Sequence, residues 1–159
     1  MIISGFAGIG KTYYANKFPD VSIDLDSSNF KWIFDKTIQN INIEERKGLC
    51  NKKINPAWPM NYIEAIKDAN EKFGIVFISI DEEIRMILKD LGIRYFVAFP
   101  ALDCKDEYIE RYKSRNNGIN FINLLEVKYE EWIQGLLTES NQIRLRKGEY
   151  ISDKIGRSC

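Results

Sequence analysis

The sequence predicts an α/β protein in which helices cover both faces of a five-stranded parallel sheet. Short apolar runs that suit buried strands alternate along the chain with amphipathic segments that suit helices. The length of 159 residues fits a single domain, here 1–159. The composition, 45% hydrophobic and 29% charged, is that of an ordinary globular protein with a core. Crossovers between parallel strands are expected to be right-handed.

Each predicted strand is a short apolar or alternating run that ends at a turn or a polar residue. The runs lie at residues 1–4, 21–26, 74–80 and 93–101 and at the beginning of 141–153. The run at 74–80, GIVFISI, is apolar apart from one serine, as expected of a strand buried on both faces. The rest of 141–153 is interpreted as a turn.

The predicted helices have apolar residues at helical spacing and end near glycine or proline. They cover residues 11–18, 60–73, 81–91, 104–117 and 121–137. Residues 27–34 are interpreted as a helical turn or a helix. The polar, weakly periodic stretch at about 37–57 is interpreted as a mobile excursion on the acceptor side of the site.

The composition excludes several functional classes. The chain has 23 basic and 23 acidic residues, so binding to nucleic acid through bulk charge is not expected, although a local basic patch remains compatible. It has no histidine, which rules out triads and metal sites that need one. No apolar run is long enough for a membrane span, and no signal peptide is apparent. With three widely spaced cysteines, these features favour a cytoplasmic location.

A glycine-rich turn follows the first strand. Residues 5–12, GFAGIGKT, match the phosphate-loop pattern G-x-x-x-x-G-K-[ST], and a predicted strand and helix flank them as the pattern requires. Glycines allow the backbone N–H groups to close around phosphate oxygens, and a helix N-terminus adds partial positive charge. Lys11 is expected at the β- and γ-phosphates of ATP, and Thr12 at Mg²⁺. The predicted cofactor-binding residues are Gly5, Phe6, Ala7, Gly8, Ile9, Gly10, Lys11, Thr12 and Tyr13.

This loop, the chain length and the strand–helix order resemble small P-loop kinases of the adenylate kinase, nucleoside kinase and polynucleotide kinase group. The chain is also similar to small nucleotide kinase-like proteins of phages and bacteria. The resemblance covers most of the chain in layout, but only the loop is specific. It implies a P-loop NTPase fold with three α/β/α layers and a short helical lid at about 104–118. It further implies transfer of the γ-phosphoryl group of ATP to a nucleoside or nucleotide.

The second predicted strand ends in two aspartates, Asp24 and Asp26. In polynucleotide and nucleoside kinases, an aspartate at this place accepts the proton of the attacking hydroxyl, and the stretch SIDLDSSNF resembles that segment. Asp26 matches the aspartate and is the first candidate for the general base. Asp24 is the second candidate and a substrate-contacting residue. Alternatively, Asp26 caps the next helix.

Two residues after the strand at 74–80 are further candidates. Asp81 resembles the carboxylate of a Walker B segment, which holds Mg²⁺, although it could equally cap the following helix. Arg85 lies one turn later, where kinases of monophosphates often hold the acceptor phosphate. A solvated arginine on the helix face is the alternative.

Arg111 and Arg115 are four residues apart and share a helix face. In small P-loop kinases, this region carries lid arginines that neutralise charge on the transferred group, so both are predicted to be catalytic. Gly118 would be the hinge of the lid. Alternatively, the segment is a solvated helix in which Glu107 and Glu110 pair with the arginines.

Two weaker candidates complete the predicted site. Gly148 lies in the loop that commonly touches adenine in this fold. Trp58, between two prolines, could stack on the base of the substrate, although packing at the start of a helix explains it equally well.

The sequence leaves the acceptor open. A nucleoside or nucleotide is favoured. The alternative is a nucleic-acid end or a hydroxylated base in DNA, which Asp26 and the basic residues of 37–57 would suit. A nucleotide-binding regulator or ATPase is a third possibility. ATP and the acceptor are the expected partners, and no membrane is expected.

Overall fold

The computed structural model describes residues 1–34 and 52–156, which form an α/β fold around a five-stranded, all-parallel sheet. In chain order, the strands are β1 (Ile2–Gly5), β2 (Ser22–Leu25), β3 (Trp32–Phe34), β4 (Lys52–Ile54), β5 (Ile75–Ser79), β6 (Tyr95–Pro100) and β7 (Gln142–Leu145). The parallel sheet has the order β2-β5-β1-β6-β7, while β3 and β4 form a separate antiparallel pair. The predicted α/β class with a five-stranded parallel sheet is therefore confirmed, and the arrangement is compatible with three α/β/α layers.

Seven α-helices occur within the described residues. They are α1 (Lys11–Lys17), α2 (Ser28–Lys31), α3 (Met60–Lys72), α4 (Glu82–Asp90), α5 (Lys105–Ser114), α6 (Ile119–Leu136) and α7 (Ile151–Ile155). A short 3₁₀ turn at Leu102–Cys104 precedes α5. Within residues 1–34 and 52–156, no helix has the length and apolar character needed to cross a bilayer.

The central strands carry the core. β1 lies between β5 and β6, and all four of its residues are buried. The first four residues of β5 are likewise buried, which agrees with the apolar run in the sequence. Because the strands are parallel, their carboxyl ends meet at one edge, where Gly5 pairs with Ser79 and with Ala98. The predicted phosphate loop leaves the sheet at this edge, from its middle strand.

Two predicted segments differ from the structure. Only Ser28–Lys31 is helical in the stretch 27–34, because Trp32–Phe34 pairs with Lys52–Ile54. The end of the predicted excursion at 37–57 is thus a strand, while residues 35–51 lie outside the described residues. The segment after β7 also contains α7, which was interpreted as part of a turn.

Candidate active site

The turn between β1 and α1 has a backbone that depends on glycine. Gly8 and Gly10 adopt φ values of 83° and 95°, which residues with a Cβ rarely adopt. At Gly5, a Cβ would lie 2.7 Å from Lys11 Cδ. Glycine at these positions therefore allows both the turn and the close approach of the Lys11 side chain to β1.

Six successive carbonyl groups of this turn accept hydrogen bonds from the protein. The donors are Lys11 Nζ to Gly5 O (2.7 Å) and Phe6 O (3.1 Å), Tyr112 Oη to Ala7 O, Arg111 Nη1 to Gly8 O (3.0 Å), Ile151 N to Ile9 O (2.9 Å) and Tyr14 N to Gly10 O (3.0 Å). These donors come from α1, α5 and α7. The surrounding helices thus hold the carbonyl side of the turn.

The amide side of the same turn is different. Within residues 1–34 and 52–156, no acceptor forms a hydrogen bond with the amide N–H of Ala7, Gly8 or Gly10. Successive N–H groups in a turn of this kind form a concave site for anions such as phosphate. With the Lys11 ammonium beside it, the turn has the kinds of donor that a polyphosphate would require.

The apolar side chains of the turn belong to the core. Phe6 and Ile9 are buried, and Phe6 contacts the rings of Tyr108 and Tyr129 with centroid distances of 6.0 and 6.1 Å. These two residues can therefore contribute only backbone groups to a ligand. Tyr13, in contrast, is 65% exposed and helps to line a cavity of about 250 Å³ beside α1 and α7.

Thr12 and Asp24 form one hydrogen-bonded unit. The Thr12 hydroxyl donates to Asp24 Oδ2 at 2.6 Å, which leaves the lone pairs of the hydroxyl oxygen available to a cation. No group of three or more acidic, cysteine or histidine residues that could hold a metal occurs in the described parts of the chain. Mg²⁺ at nucleotide sites takes one or two protein oxygens together with phosphates and waters, so Thr12 and Asp24 suffice for its donor set.

Asp26 lies immediately after the end of β2, outside the strand, so the alternation of side chains between the two faces of the sheet does not determine where it points. Its Oδ1 accepts hydrogen bonds from the Ser28 amide (2.9 Å) and the Ser28 hydroxyl (2.7 Å). Asp26 therefore supports the beginning of α2, as the capping alternative predicted. Its role as a general base stays a prediction.

Arg111 reaches the turn between β1 and α1, the predicted phosphate loop, from α5. Its guanidinium donates to Gly8 O and to Glu149 O (3.2 Å), and pairs with Glu107. It also lies against the Tyr150 ring, with Cζ 4.0 Å from the ring centroid. The side chain is only 10% exposed, so Arg111 is not part of a solvated helix face.

Arg115 is placed differently from Arg111. It is exposed at the carboxyl end of α5, and no hydrogen bond joins its side chain to another described residue. The predicted hinge glycine, Gly118, has φ of −57°, while Asn116 adopts the positive φ of 54°. Left-handed backbone in this connection thus occurs at an asparagine, a residue that tolerates it.

The predicted lid is packed against the core. Tyr108, Ile109 and Tyr112 of α5 are buried, and the Tyr112 ring meets Phe121 of α6 edge to face at 5.1 Å. Burial raises the pKa values of the Tyr108 and Tyr112 hydroxyls above the ordinary range, so both stay protonated. Hence Tyr112 keeps the proton that it donates to Ala7 O.

The loop after β7 lies beside Arg111. Gly148, at φ of 79°, donates its amide to both oxygens of Glu107, at 3.1 and 2.9 Å. The Tyr150 ring lies near Gly10, where a Cβ would be 3.2 Å from its Cδ1. The predicted adenine loop thus contacts the predicted phosphate loop.

Asp81 and Arg85 have partners other than a ligand. Asp81 caps α4 by accepting from the Glu83 amide at 3.2 Å, and it lies 3.7 Å from Lys31 Nζ. Arg85 is 7% exposed, and its Nε donates to Glu139 at 2.8 Å. These contacts match the capping alternative for Asp81 and assign Arg85 a buried ion pair.

Trp58 packs beside the carboxyl end of β2. Its ring stacks on Tyr62 with a centroid distance of 5.6 Å and an interplanar angle of 21°, and Lys31 Nζ lies 5.0 Å from its centroid. The Tyr62 hydroxyl donates to Leu25 O at 2.6 Å. Trp58 therefore packs, through Tyr62, against the strand that carries Asp24, and its ring already contacts Tyr62 and lies near Lys31.

Three residues at this site were not predicted as functional: Glu107, Tyr112 and Tyr150. The sequence held a signal only for Glu107, which precedes Arg111 by four residues and was considered there as an ion-pair partner. Tyr112 gave no functional signal because helical periodicity assigns it to the core, and Tyr150 belongs to no recognisable motif. Their contacts with the turn depend on how α5 and α7 pack.

No protein-family model matches this sequence, and no curated protein matches it.

Proposed function

We propose that the protein is a P-loop kinase that transfers the γ-phosphoryl group of ATP, with Mg²⁺, to a nucleoside or nucleotide. One observation carries the proposal. The carbonyl groups of residues 5–10 accept hydrogen bonds from the protein, whereas the N–H groups of Ala7, Gly8 and Gly10 have no acceptor among the described residues. Lys11 and the Thr12–Asp24 pair adjoin the same turn. This arrangement suits a bound triphosphate.

The residues then have separate roles. The turn and Lys11 bind the β- and γ-phosphates, with Lys11 exchanging its bonds to Gly5 O and Phe6 O for phosphate oxygens. Thr12 and Asp24 would hold Mg²⁺, which neutralises charge on the phosphates when it is bound. Asp24 is thus assigned to the metal side rather than to the acceptor.

The transfer itself exchanges one phosphorus–oxygen bond for another. The acceptor oxygen forms a bond with the γ-phosphorus, and the bond from that phosphorus to the β–γ bridging oxygen breaks, which releases ADP. If the acceptor is a hydroxyl, its proton goes to the Asp26 carboxylate. An acceptor phosphate needs no base.

Arg111 is the best-placed group to stabilise the transferred charge. A guanidinium has five N–H donors, and three of those of Arg111 are used by Gly8, Glu107 and Glu149. The Nε–H and one Nη1–H face no acceptor among residues 1–34 and 52–156, and they can bind phosphate oxygens. Arg115, exposed at the end of α5, is the weaker candidate.

A nucleic-acid end is the second candidate acceptor. Lys31 Nζ lies 5.0 Å from the Trp58 centroid, and Lys52 Nζ lies 4.5 Å from that of Trp32, close to the segment that carries Asp26. Interleaved cations and aromatic rings are typical of sites for single-stranded nucleic acid. Such an acceptor would bind less tightly as salt increases, whereas an uncharged nucleoside would not.

The test is transfer of label from γ-labelled ATP to a panel of nucleosides, nucleoside monophosphates and oligonucleotides. We expect one class to gain label, and Lys11→Ala to abolish the gain while the protein stays folded. Lys67→Ala, an exposed lysine of α3, is the matched control and should leave transfer unchanged. Undiminished transfer by a folded Lys11→Ala variant would refute the proposal.

A further inference from the structure

Arg111 connects three parts of the site. It contacts the phosphate-loop turn at Gly8 O, its own helix at Glu107, and the loop after β7 at Glu149 O and the Tyr150 ring. An arginine has many rotamers, so a single orientation at the turn requires several partners. Among these contacts, only the one with Glu107 is made to a carboxylate, because Glu149 accepts through its backbone carbonyl.

Glu107 has a second contact, which makes it more than the partner of an ion pair. Its carboxylate oxygens accept the Gly148 amide at 3.1 and 2.9 Å while Oε1 also accepts from Arg111 Nη2. The Glu107 side chain is 19% exposed. The Glu107 carboxylate therefore connects the Arg111 guanidinium, on the same helix, to the backbone of the loop at residues 146–150.

We propose that Glu107 is a positioning residue: it orients Arg111 at the phosphate-loop turn and couples this orientation to the loop at 146–150. This inference rests on the proposed kinase function. Glu107 does not touch the reacting atoms. It acts by fixing which Arg111 N–H groups face the turn, since small misplacements of a catalytic group are costly to the rate.

Glu107→Gln is the informative substitution. Glutamine keeps the size of glutamate, but its NH₂ group replaces one of the two carboxylate oxygens. At the Oε2 position, the NH₂ group would meet the Gly148 amide donor to donor at 2.9 Å, and at the Oε1 position it would meet the Arg111 guanidinium in the same way. Glu110→Gln is a matched control on the same helix, because Glu110 is 70% exposed and pairs with Lys113. The control should leave every measurement unchanged.

Two measurements test the inference. In steady-state transfer, Glu107→Gln should lower kcat about tenfold, with a change of less than about threefold in the affinity for a fluorescent ATP analogue. In the Arg111→Lys background, it should have little further effect, since the two residues act as one unit. A merely structural role would lower Tm and give additive effects in this cycle, which would overturn the inference.

The second measurement does not depend on activity. Amide hydrogen exchange of residues 146–150 should become about fivefold faster in Glu107→Gln, as expected when one hydrogen bond is lost, and should not change in Glu110→Gln. Unchanged exchange, or a normal kcat, would overturn the inference. If the wild-type protein transfers no phosphoryl group to any acceptor, the proposed function fails and the kinetic role of Glu107 with it. The exchange result would still decide whether Glu107 links the two segments.

Discussion

At the scale of single residues, Asp26 separates a hydroxyl acceptor from a phosphate acceptor. Asp26→Asn keeps an oxygen for the Ser28 amide, which Asp26 Oδ1 accepts at 2.9 Å, but removes the base. With a hydroxyl acceptor, we expect kcat to fall by about 10² to 10⁴. With a phosphate acceptor, transfer should stay within about an order of magnitude of wild type. The measurement is kcat for each acceptor that gains label.

Ser28→Ala is the control for this experiment, because it removes the second contact of Asp26 Oδ1, at 2.7 Å, without touching the carboxylate. It should affect stability more than rate. Near-normal transfer to a hydroxyl by folded Asp26→Asn would contradict the role of Asp26 as a base. The proton would then have to go to another carboxylate.

A second prediction concerns Asp24 and Mg²⁺. Because the Thr12 hydroxyl donates to Asp24 Oδ2 at 2.6 Å, Asp24→Asn should disturb the orientation of the hydroxyl oxygen toward the metal. Asp24→Asn would also remove a carboxylate donor to the metal, so we expect the Mg²⁺ concentration at half-maximal transfer to rise by at least about tenfold, which is the effect of changing even an outer partner of a metal ligand. Asp20→Asn, an exposed aspartate before β2, should not change it. An unchanged Mg²⁺ titration in Asp24→Asn would remove Asp24 from the metal site.

The pairing of Thr12 with Asp24 also marks where sequence reasoning stops. The motif predicted Thr12 and the alternating pattern predicted β2, but a contact between them depends on the lateral order of the strands. In this sheet, β5 lies between β2 and β1. Nothing in the local sequence specifies that order. For the same reason, the sequence paired Thr12 with Asp81 at the predicted metal site, whereas the Thr12 hydroxyl donates its hydrogen bond to Asp24.

At the scale of elements, the success of prediction followed the length of the signal. The apolar run of β5 and the helical spacing of α3 extend over many residues, and both elements formed where they were expected. Each strand of the β3–β4 pair has three residues, and the pairing joins Trp32 to Ile54. Such short, distant partners leave no periodic pattern. α7, with five residues, is equally short.

The packing of α5 on α6 gives a prediction that uses two tyrosines. The buried Tyr108 hydroxyl has no hydrogen-bond partner among the described residues, whereas that of Tyr129 donates to Ala101 O at 2.7 Å. A buried polar group without a partner is unfavourable, so Tyr108→Phe should leave the free energy of unfolding unchanged or raise it. Tyr129→Phe should lower it by about 1 kcal/mol.

Urea unfolding of the two variants checks this directly, since each differs from wild type by one hydroxyl oxygen. Each loses one hydroxyl and keeps its ring, and the two rings lie 6.4 Å apart in one cluster. A loss of stability in Tyr108→Phe as large as that in Tyr129→Phe would show that the Tyr108 hydroxyl has a partner in solution. A buried water would be the physical reason.

At the scale of the whole molecule, the candidate site depends on contacts between segments that are distant in the chain. Gly8 meets Arg111 across 103 residues, and Ile9 O accepts from Ile151 N at 2.9 Å. The sequence identified the turn because its pattern is local. It could not show which helices hold the turn, because these contacts depend on the packing of elements from both ends of the chain.

A buried ion pair provides the test at this scale. The Arg85 guanidinium donates to Glu139 at 2.8 Å and to Ile80 O at 3.0 Å, and the Tyr95 hydroxyl donates to the other Glu139 oxygen at 3.0 Å. Burial, and then the bond to Glu139, raise the pKa of Tyr95 to about 12, so its hydroxyl keeps its proton at neutral pH. This cluster joins α4, β6 and the segment before β7.

Glu139→Gln should destabilise the protein without affecting the chemistry of the site. The Arg85 side chain is 9% exposed and would keep its charge with no carboxylate beside it. Removing one partner of a buried pair costs about 3 kcal/mol, which for a domain of this size lowers Tm by roughly 6 to 12 °C. Glu131→Gln, in an exposed pair with Lys128, should cost less than about 1 kcal/mol.

The double variant Arg85→Met/Glu139→Leu should recover most of the loss, because two apolar side chains can replace a buried pair. KM for the acceptor, measured well below Tm, should match wild type in Glu139→Gln. An unchanged Tm together with a raised KM in Arg85→Met would instead assign Arg85 to the acceptor phosphate, as the sequence first predicted.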